Sequence, residues 1–245
     1  MFNMNELRNK NIKQAKYIFA AEYITQQTLN SIIRKIEIGM TEKEIARILD
    51  QSLFSQGIKA LSFPTIVAIG KHSATPHHEP TNTKVVIGTH LLIDVGAKYQ
   101  GFCGDITRTI FVGKPNKKYI YMFNLVEEAR QKAFALIKPG TKIADIDKAV
   151  RSVFAREKVE ALFIHTTGHG ISKKIHDNPS LNQYNTDLLE EGMILMIEPG
   201  LYDPGWGGVR IEDMIQVTQN GYQFISQPDQ LLTLYENEEN IRMGS

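Results

Sequence analysis

Cysteine is nearly missing from this chain of 245 residues, and so are any surplus of charge and any long apolar run. The single Cys103 cannot close an internal disulfide. Lying between strand-like Phe102 and Gly104-Asp105, it reads as a small buried hydrophobe rather than a nucleophile, in a reducing compartment. Lys plus Arg number 28 against 27 Asp plus Glu, which leaves no long-range field to draw in nucleic acid or an anionic membrane. No stretch approaches about 18 uninterrupted apolar residues, and Met1-Phe2-Asn3-Met4-Asn5-Glu6-Leu7-Arg8 holds no apolar segment of signal-peptide length. A cytoplasmic protein with neither membrane nor nucleic-acid partners is therefore expected. Met243-Gly244-Ser245 is set aside as a cloning remnant. With 42% of its residues hydrophobic, the chain has material for a sizeable core, in one large domain or two small ones.

What is present includes a pattern that occurs twice. Ile36-Glu37-Ile38-Gly39-Met40-Thr41-Glu42-Lys43-Glu44-Ile45 is an apolar entrance, a Gly turn and a Thr suited to N-cap the amphipathic helix that follows. Ile137-Lys138-Pro139-Gly140-Thr141-Lys142-Ile143-Ala144-Asp145-Ile146 repeats it. Long helical stretches precede both, from Leu7 to about Ile36 and from Lys118 to about Ile137. Alternating β-branched runs come after each unit, at Thr65–Ile69 and His90–Val95 in the first half and at Met193–Ile197 and Met214–Thr218 in the second. Two similar halves about a pseudo-twofold axis would meet at a central seam within one domain, residues 1–245.

Metal-ligand-type side chains stand in five short segments: Asp94 in Ile93-Asp94-Val95-Gly96, Asp105 in Gly104-Asp105-Ile106-Thr107, His169 in Gly168-His169-Gly170, Glu198 in Ile197-Glu198-Pro199-Gly200, and Glu212 in Arg210-Ile211-Glu212-Asp213. Each segment alone says little, since carboxylates at strand ends are common. Together, four carboxylates and one imidazole can hold two divalent cations, because a carboxylate can bridge ions roughly 3.5–4 Å apart. Tyr99-Gln100-Gly101 looks like a hairpin turn that would bring Asp94 and Asp105 to one face. Apolar neighbours flank Glu198 and Glu212, so burying these acids is costly unless a cation neutralises them. Oxygen-rich ligation without thiolate argues against a structural zinc site and suits manganese, cobalt, iron or zinc. Manganese is the ion expected.

In order and flanking residues this set resembles the pita-bread metallopeptidases, which include methionine aminopeptidase, aminopeptidase P and prolidase, over about Asn5 to Leu232. The resemblance implies an α+β fold with curved antiparallel sheet inside and helices outside. It implies that Asp94 chelates one metal, Asp105 and Glu212 bridge, His169 and Glu198 bind the other, and a bridging hydroxide attacks a peptide bond. His77, His165, His176 and Arg210 match the aminopeptidase P and prolidase branch. There the histidines line the pocket, bind peptide or move protons, and the arginine either binds a substrate carboxylate or buttresses the ligands. Glu198 with His77, His165 and His176 is thus the expected catalytic group, and the same histidines with Arg210 the expected substrate contacts. His78 and Trp206 carry no assigned role. The chain departs from that branch at Lys173 and Lys174, and its length leads to the expectation of a catalytic domain alone, without the N-terminal domain most proline-specific relatives carry. Hydrolysis of N-terminal Xaa-Pro bonds is the expected activity, with a peptide as partner and a homodimer left open. Methionine aminopeptidase, hydrolysis of a small non-peptide carbon–nitrogen substrate, and a non-catalytic peptide- or protein-binding module are the alternatives.

Overall fold

The computed structural model describes residues 4–226 and 233–234, with side chains from residue 14 onward. Met243-Gly244-Ser245 and Leu232 lie outside the described residues. The first half contains α1 (Met4–Ile33), α2 (Glu42–Ser55), β1 (Ala60–Leu61), β2 (Ile66–Ile69), a 3-10 turn at Gly70–Ala74, β3 (His90–Val95), β4 (Ala97–Tyr99), β5 (Phe102–Cys103) and β6 (Ile106–Val112). The second contains α3 (Lys117–Phe134), α4 (Ile143–Arg156), a 3-10 turn at Glu160–Leu162, β7 (Gly168–Gly170), β8 (Asp177–Leu181), β9 (Ile194–Ile197), β10 (Gly200–Asp203), β11 (Gly207–Arg210), β12 (Asp213–Thr218) and β13 (Gly221–Phe224), with β14 (Thr233–Leu234) following. No helix among the described residues is long and apolar enough to cross a membrane.

The echo in the sequence is an echo in structure. Strands run β14-β6-β3-β2 in one sheet and β13-β12-β9-β7-β8 in the other, so β2, β3 and β6 correspond to β7, β9 and β12. Gly39 and Gly140 both adopt positive φ, 94° and 83°. Their amides donate to Val85 O and Leu189 O, each at 2.8 Å, and those residues' amides return bonds to Met40 O and Thr141 O. Further along, Gly88 N–H bonds Val112 O just as Gly192 N–H bonds Val217 O. On this match Asp94 corresponds to Glu198, one near the end of β3 and the other directly after β9.

The echo does not extend to the cap. Thr41 caps α2 through a reciprocal box: its Oγ1 accepts from Glu44 N–H at 3.2 Å and its own N–H donates to Glu44 Oε2 at 2.8 Å. The residue at the matching position is Lys142, which makes no side-chain cap, and Thr141 instead donates to Leu136 O at 2.7 Å. Thr41→Ala is therefore expected to cost about 1 kcal/mol, whereas Lys142→Ala stays within about 0.5 kcal/mol. Urea unfolding of the two variants checks this, and equal losses would remove the distinction.

Each half buries its own helical pair against its own sheet. Leu29, Leu49, Leu91 and Ile93 meet in one core, and Val126, Val150, Leu195 and Ile215 in the other. Because side chains alternate along a strand, Leu91, Ile93 and Val95 of β3 face the helices while His90, Leu92 and Asp94 face the opposite way. The same alternation in the second half turns Leu195 and Ile197 to the helices and leaves Glu198 on the other face. Both inward carboxylates thus point to the seam.

Candidate metal centre

The turn at Gln100-Gly101 is present, with φ of 51° and 83°, yet it does not pair Asp94 with Asp105 directly. In the β3–β6 ladder Asp94 faces Thr107 and Val95 faces Ile106, and β4 and β5 leave this ladder to join β1 in a separate sheet. Glycines permit the bend. A Cβ on Gly96 would overlap the Gly104 carbonyl, and one on Gly104 would sit 2.7 Å from the Ala21 carbonyl carbon of α1. Asp105 thereby projects from the residue just before β6, where Glu22 Oε2 of α1 accepts its backbone N–H at 2.9 Å.

The five predicted ligands come from both halves and are brought together. His169 Nε2 lies 3.7 Å from Asp105 Oδ2 and 3.6 Å from Glu198 Oε1. One ligand atom each from Asp105, His169 and Glu212 falls within 4.8 Å of the others. Thr107 Oγ1 donates to Glu212 Oε2 at 2.8 Å, and Arg210 joins the group by donating from Nη2 to Asp94 Oδ2 at 2.6 Å. His169 Nδ1 donates to the Gly170 carbonyl at 3.0 Å, which leaves the Nε2 lone pair facing the acids.

Electrostatically this arrangement calls for cations. Burial pushes the Asp105 pKa well above its ordinary value, and repulsion from Glu212, Asp94, Glu198 and Glu22 adds to it. Burial and Glu212 raise Glu198 in the same way, while burial and Asp94 push Glu212 up to about 8. Burial raises Asp94 too, despite Arg210 beside it, and lowers His169 to about 4. Among the described residues Asp94 Oδ1 is buried with no hydrogen-bond partner. Acids crowded and buried to this degree, one with an unsatisfied oxygen, fit divalent ions: each ion would replace protons the acids otherwise retain.

A cavity of about 1070 Å³ opens over these residues, lined also by His77, His165, His176 and Arg210. His176 packs edge-on against His169, with ring centroids 4.5 Å apart. His165 is more constrained than its sequence position suggests. Its Nδ1 donates to Thr166 O at 2.8 Å, so its Nε2 accepts from the Tyr202 hydroxyl at 2.7 Å, and burial lowers its pKa to about 3. Arg210 spends its donors on the protein. Nη1 reaches Tyr202 OH at 2.8 Å, Nε reaches Thr107 Oγ1 at 3.0 Å, and Nη2 holds Asp94. Of its two candidate roles the contacts favour the buttress.

Tyr202, Thr107 and Glu22 are the neighbours that sequence reasoning missed. Thr107 stands two residues from Asp105 and Tyr202 four after Glu198, which is a usable signal; Glu22 lies on a helix 83 residues from the amide it binds and offers none. Trp206 stacks on His90 at 4.2 Å between ring centroids and packs against the second-half core. Cys103 is fully buried beside Ile18 and Phe102, and Lys173 lies over the Phe102 ring.

A family model described as metallopeptidase family M24 matches residues 16–219. An uncharacterized peptidase of Staphylococcus aureus (strain bovine RF122 / ET3-1) is 35% identical over 224 residues, taking in 91% of this chain and 64% of that protein. One from Staphylococcus haemolyticus (strain JCSC1435) is 35% identical over 227 residues, 92% of this chain and 65% of that protein. The chain thus spans about 64% of the length of such relatives. Among solved structures, a prolidase from Pyrococcus horikoshii OT3 superposes with a TM-score of 0.87 at 37% identity, covering 90% of this chain and 63% of that one. An Xaa-Pro dipeptidase from Bacillus anthracis gives 0.87 at 37% identity, covering 91% and 63%. An X-Pro aminopeptidase from Thermotoga maritima MSB8 gives 0.87 at 29% identity, covering 94% and 67%. The pita-bread fold expected from the sequence is the fold observed.

Proposed function

This chain belongs to metallopeptidase family M24, and from that membership we propose that it is an exopeptidase that cleaves N-terminal Xaa-Pro bonds with two divalent ions, manganese foremost. The observation that carries the specificity is Arg210 buttressing Asp94 beside a cavity lined by His77, His165 and His176. The similar prolidase and Xaa-Pro dipeptidase structures, both at 37% identity, support the same reading.

In this reading Asp94, Asp105, His169, Glu198 and Glu212 hold the ions. When bound, the ions supply Lewis-acid polarisation of the scissile carbonyl and a nucleophile at neutral pH. The chain's own groups do the rest. Glu198 faces the cavity, accepts on its carboxylate the proton that the attacking water gives up, and passes it to the leaving nitrogen. His176, on the cavity wall, donates a ring N–H to charge developing on the carbonyl oxygen. His77 shapes the wall that receives the peptide, and His165, both ring nitrogens engaged, orients the Tyr202–Arg210 chain and presents its ring to substrate.

Metal-loaded protein is expected to hydrolyse Xaa-Pro peptides far faster than Met-Ala peptides, since an Xaa-Pro bond is a tertiary amide without an N–H to recognise. Rates on both series with Mn²⁺, Co²⁺ and Zn²⁺ test this, and preference for Met-initiated peptides lacking Pro would overturn the specificity while leaving family membership intact. His176→Ala is expected to lower kcat by about 10²-fold with a smaller change in KM. Arg210→Lys, which cannot reproduce the fork to Asp94, Thr107 and Tyr202, is expected to weaken metal affinity about 10–100-fold. Full occupancy with weakened binding of free-carboxylate substrates would instead make Arg210 a recognition residue.

A further inference from the structure

Away from the catalytic ligands, another group of metal-ligand side chains is assembled from three parts of the first half. Glu42 opens α2, His72 lies in the 3-10 turn at Gly70–Ala74, and His78 lies in the loop beyond it. His72 Nδ1 is 2.8 Å from Glu42 Oε1, His78 Nε2 is 3.0 Å from Glu42 Oε2, and the two rings lie 4.4 Å apart between centroids. One carboxylate oxygen and one nitrogen of each ring all fall within 4.8 Å of one another. The Glu42 side chain is fully buried, whereas those of His72 and His78 are 37% and 13% exposed, so one side of the cluster is open to solvent. Burial pushes the Glu42 pKa up, but hydrogen bonds from Thr81, His78 and Ile69 outweigh it and hold the group ionised, below its ordinary value.

We propose that Glu42, His72 and His78 form an auxiliary site for a borderline-soft divalent ion of the Zn²⁺ type, separate from the catalytic centre and sharing none of its ligands. Two imidazoles and a carboxylate are a donor set that zinc takes in open sites, with a further position left for water, and imidazole selects against Mg²⁺ and Ca²⁺. Ligand atoms at roughly 2.0–2.2 Å from a tetrahedral zinc lie about 3.3–3.5 Å apart, so the two Glu42–histidine contacts need to open by only about half an ångström. Neutral imidazole can present the facing nitrogen by carrying its proton on the other, Nε2 of His72 and Nδ1 of His78. The N-terminal dipole of α2 disfavours a cation, and the Glu42 carboxylate in direct contact offsets it. Occupancy would tie the start of α2 to the loop carrying Pro76, His77 and His78, which forms one wall of the catalytic cavity, and would stabilise the folded state by mass action.

The test is Zn²⁺ stoichiometry by calorimetry and elemental analysis on the full chain, for wild type, His72→Gln and His78→Gln. Glutamine keeps an N–H donor for Glu42 but is a poor zinc ligand. Each variant should bind one equivalent fewer than wild type with an unchanged Tm in chelator, and the Co²⁺ difference spectrum should show the visible bands of a four-coordinate nitrogen and oxygen site. Equal stoichiometry and affinity in all three proteins overturns the site. Should a variant fold poorly, the wild type decides by itself: ring ¹⁵N shifts of His72 and His78 must move on Zn²⁺ addition, and shifts unmoved at saturation overturn the proposal.

Discussion

Glu212→Gln is expected to lower kcat/KM by roughly three orders of magnitude or more, and to reduce bound divalent metal below that of the wild type. Glutamine has nearly the shape of glutamate and can still accept the hydrogen bond that Thr107 Oγ1 gives Glu212 at 2.8 Å. What it removes is one negative charge and the second anionic oxygen, which a bridging ligand needs. The metal-free variant should meanwhile be more stable than metal-free wild type at neutral pH, because one acid has left a cluster in which Asp105, Asp94 and Glu198 repel one another. Higher stability with lost activity separates a ligand role from simple unfolding. Near-wild-type turnover with full metal content would remove Glu212 from the ligand set.

Metal-free protein is expected to lose stability as pH rises from 6.5 to 8, and added divalent ion to reverse the loss. Folding raises the pKa values of Glu212 and Glu22, both to about 8 and both chiefly through burial. An acid with a raised folded pKa contributes fully below its unfolded value, and the contribution fades as pH climbs through the folded one. Each such acid then costs about 1.4 kcal/mol per pH unit, so two acids over this window cost on the order of 4 kcal/mol, or roughly 10 °C in Tm. Asp105 and Glu198, raised in the same direction, steepen the fall. The window begins at 6.5 because His165 and His169, lowered to about 3 and about 4 by burial, act oppositely below it. They favour the fold above the unfolded histidine value and lose that contribution as pH falls. Bound ions replace the acids' protons, so metal affinity grows with pH and the holoprotein's Tm should stay level or rise. Thermal melts in chelator and in excess Mn²⁺ across this range check both arms, and a metal-free Tm that is flat or rising would show that the cluster is not buried as described.

Much of this was legible in the chain because it is written locally. The strands around Ile66–Ile69, His90–Val95, Ile194–Ile197 and Asp213–Thr218 follow from β-branched alternation, and the two helix-turn-helix units from apolar spacing around Gly39 and Gly140. The candidate ligands were legible for another reason: Asp94, Asp105, His169, Glu198 and Glu212 each sit in a short segment whose neighbours mark it, so order along the chain stood in for proximity. Residue type and sequence order by themselves determined the duplication and the ligand candidates, and the resemblance those candidates carry implied the fold class. Only the tertiary structure decided what the remaining groups do, because that depends on contacts across long separations. Arg210 reaches Asp94 over 116 positions and becomes a buttress; Glu42 gathers His72 and His78 from 30 and 36 positions away. Thr41 and Thr141 look alike in sequence and differ in function: both helices take their N-cap two residues after the turn glycine, where the first half has Thr41 and the second has Lys142, so Thr141 falls one residue short of the capping position.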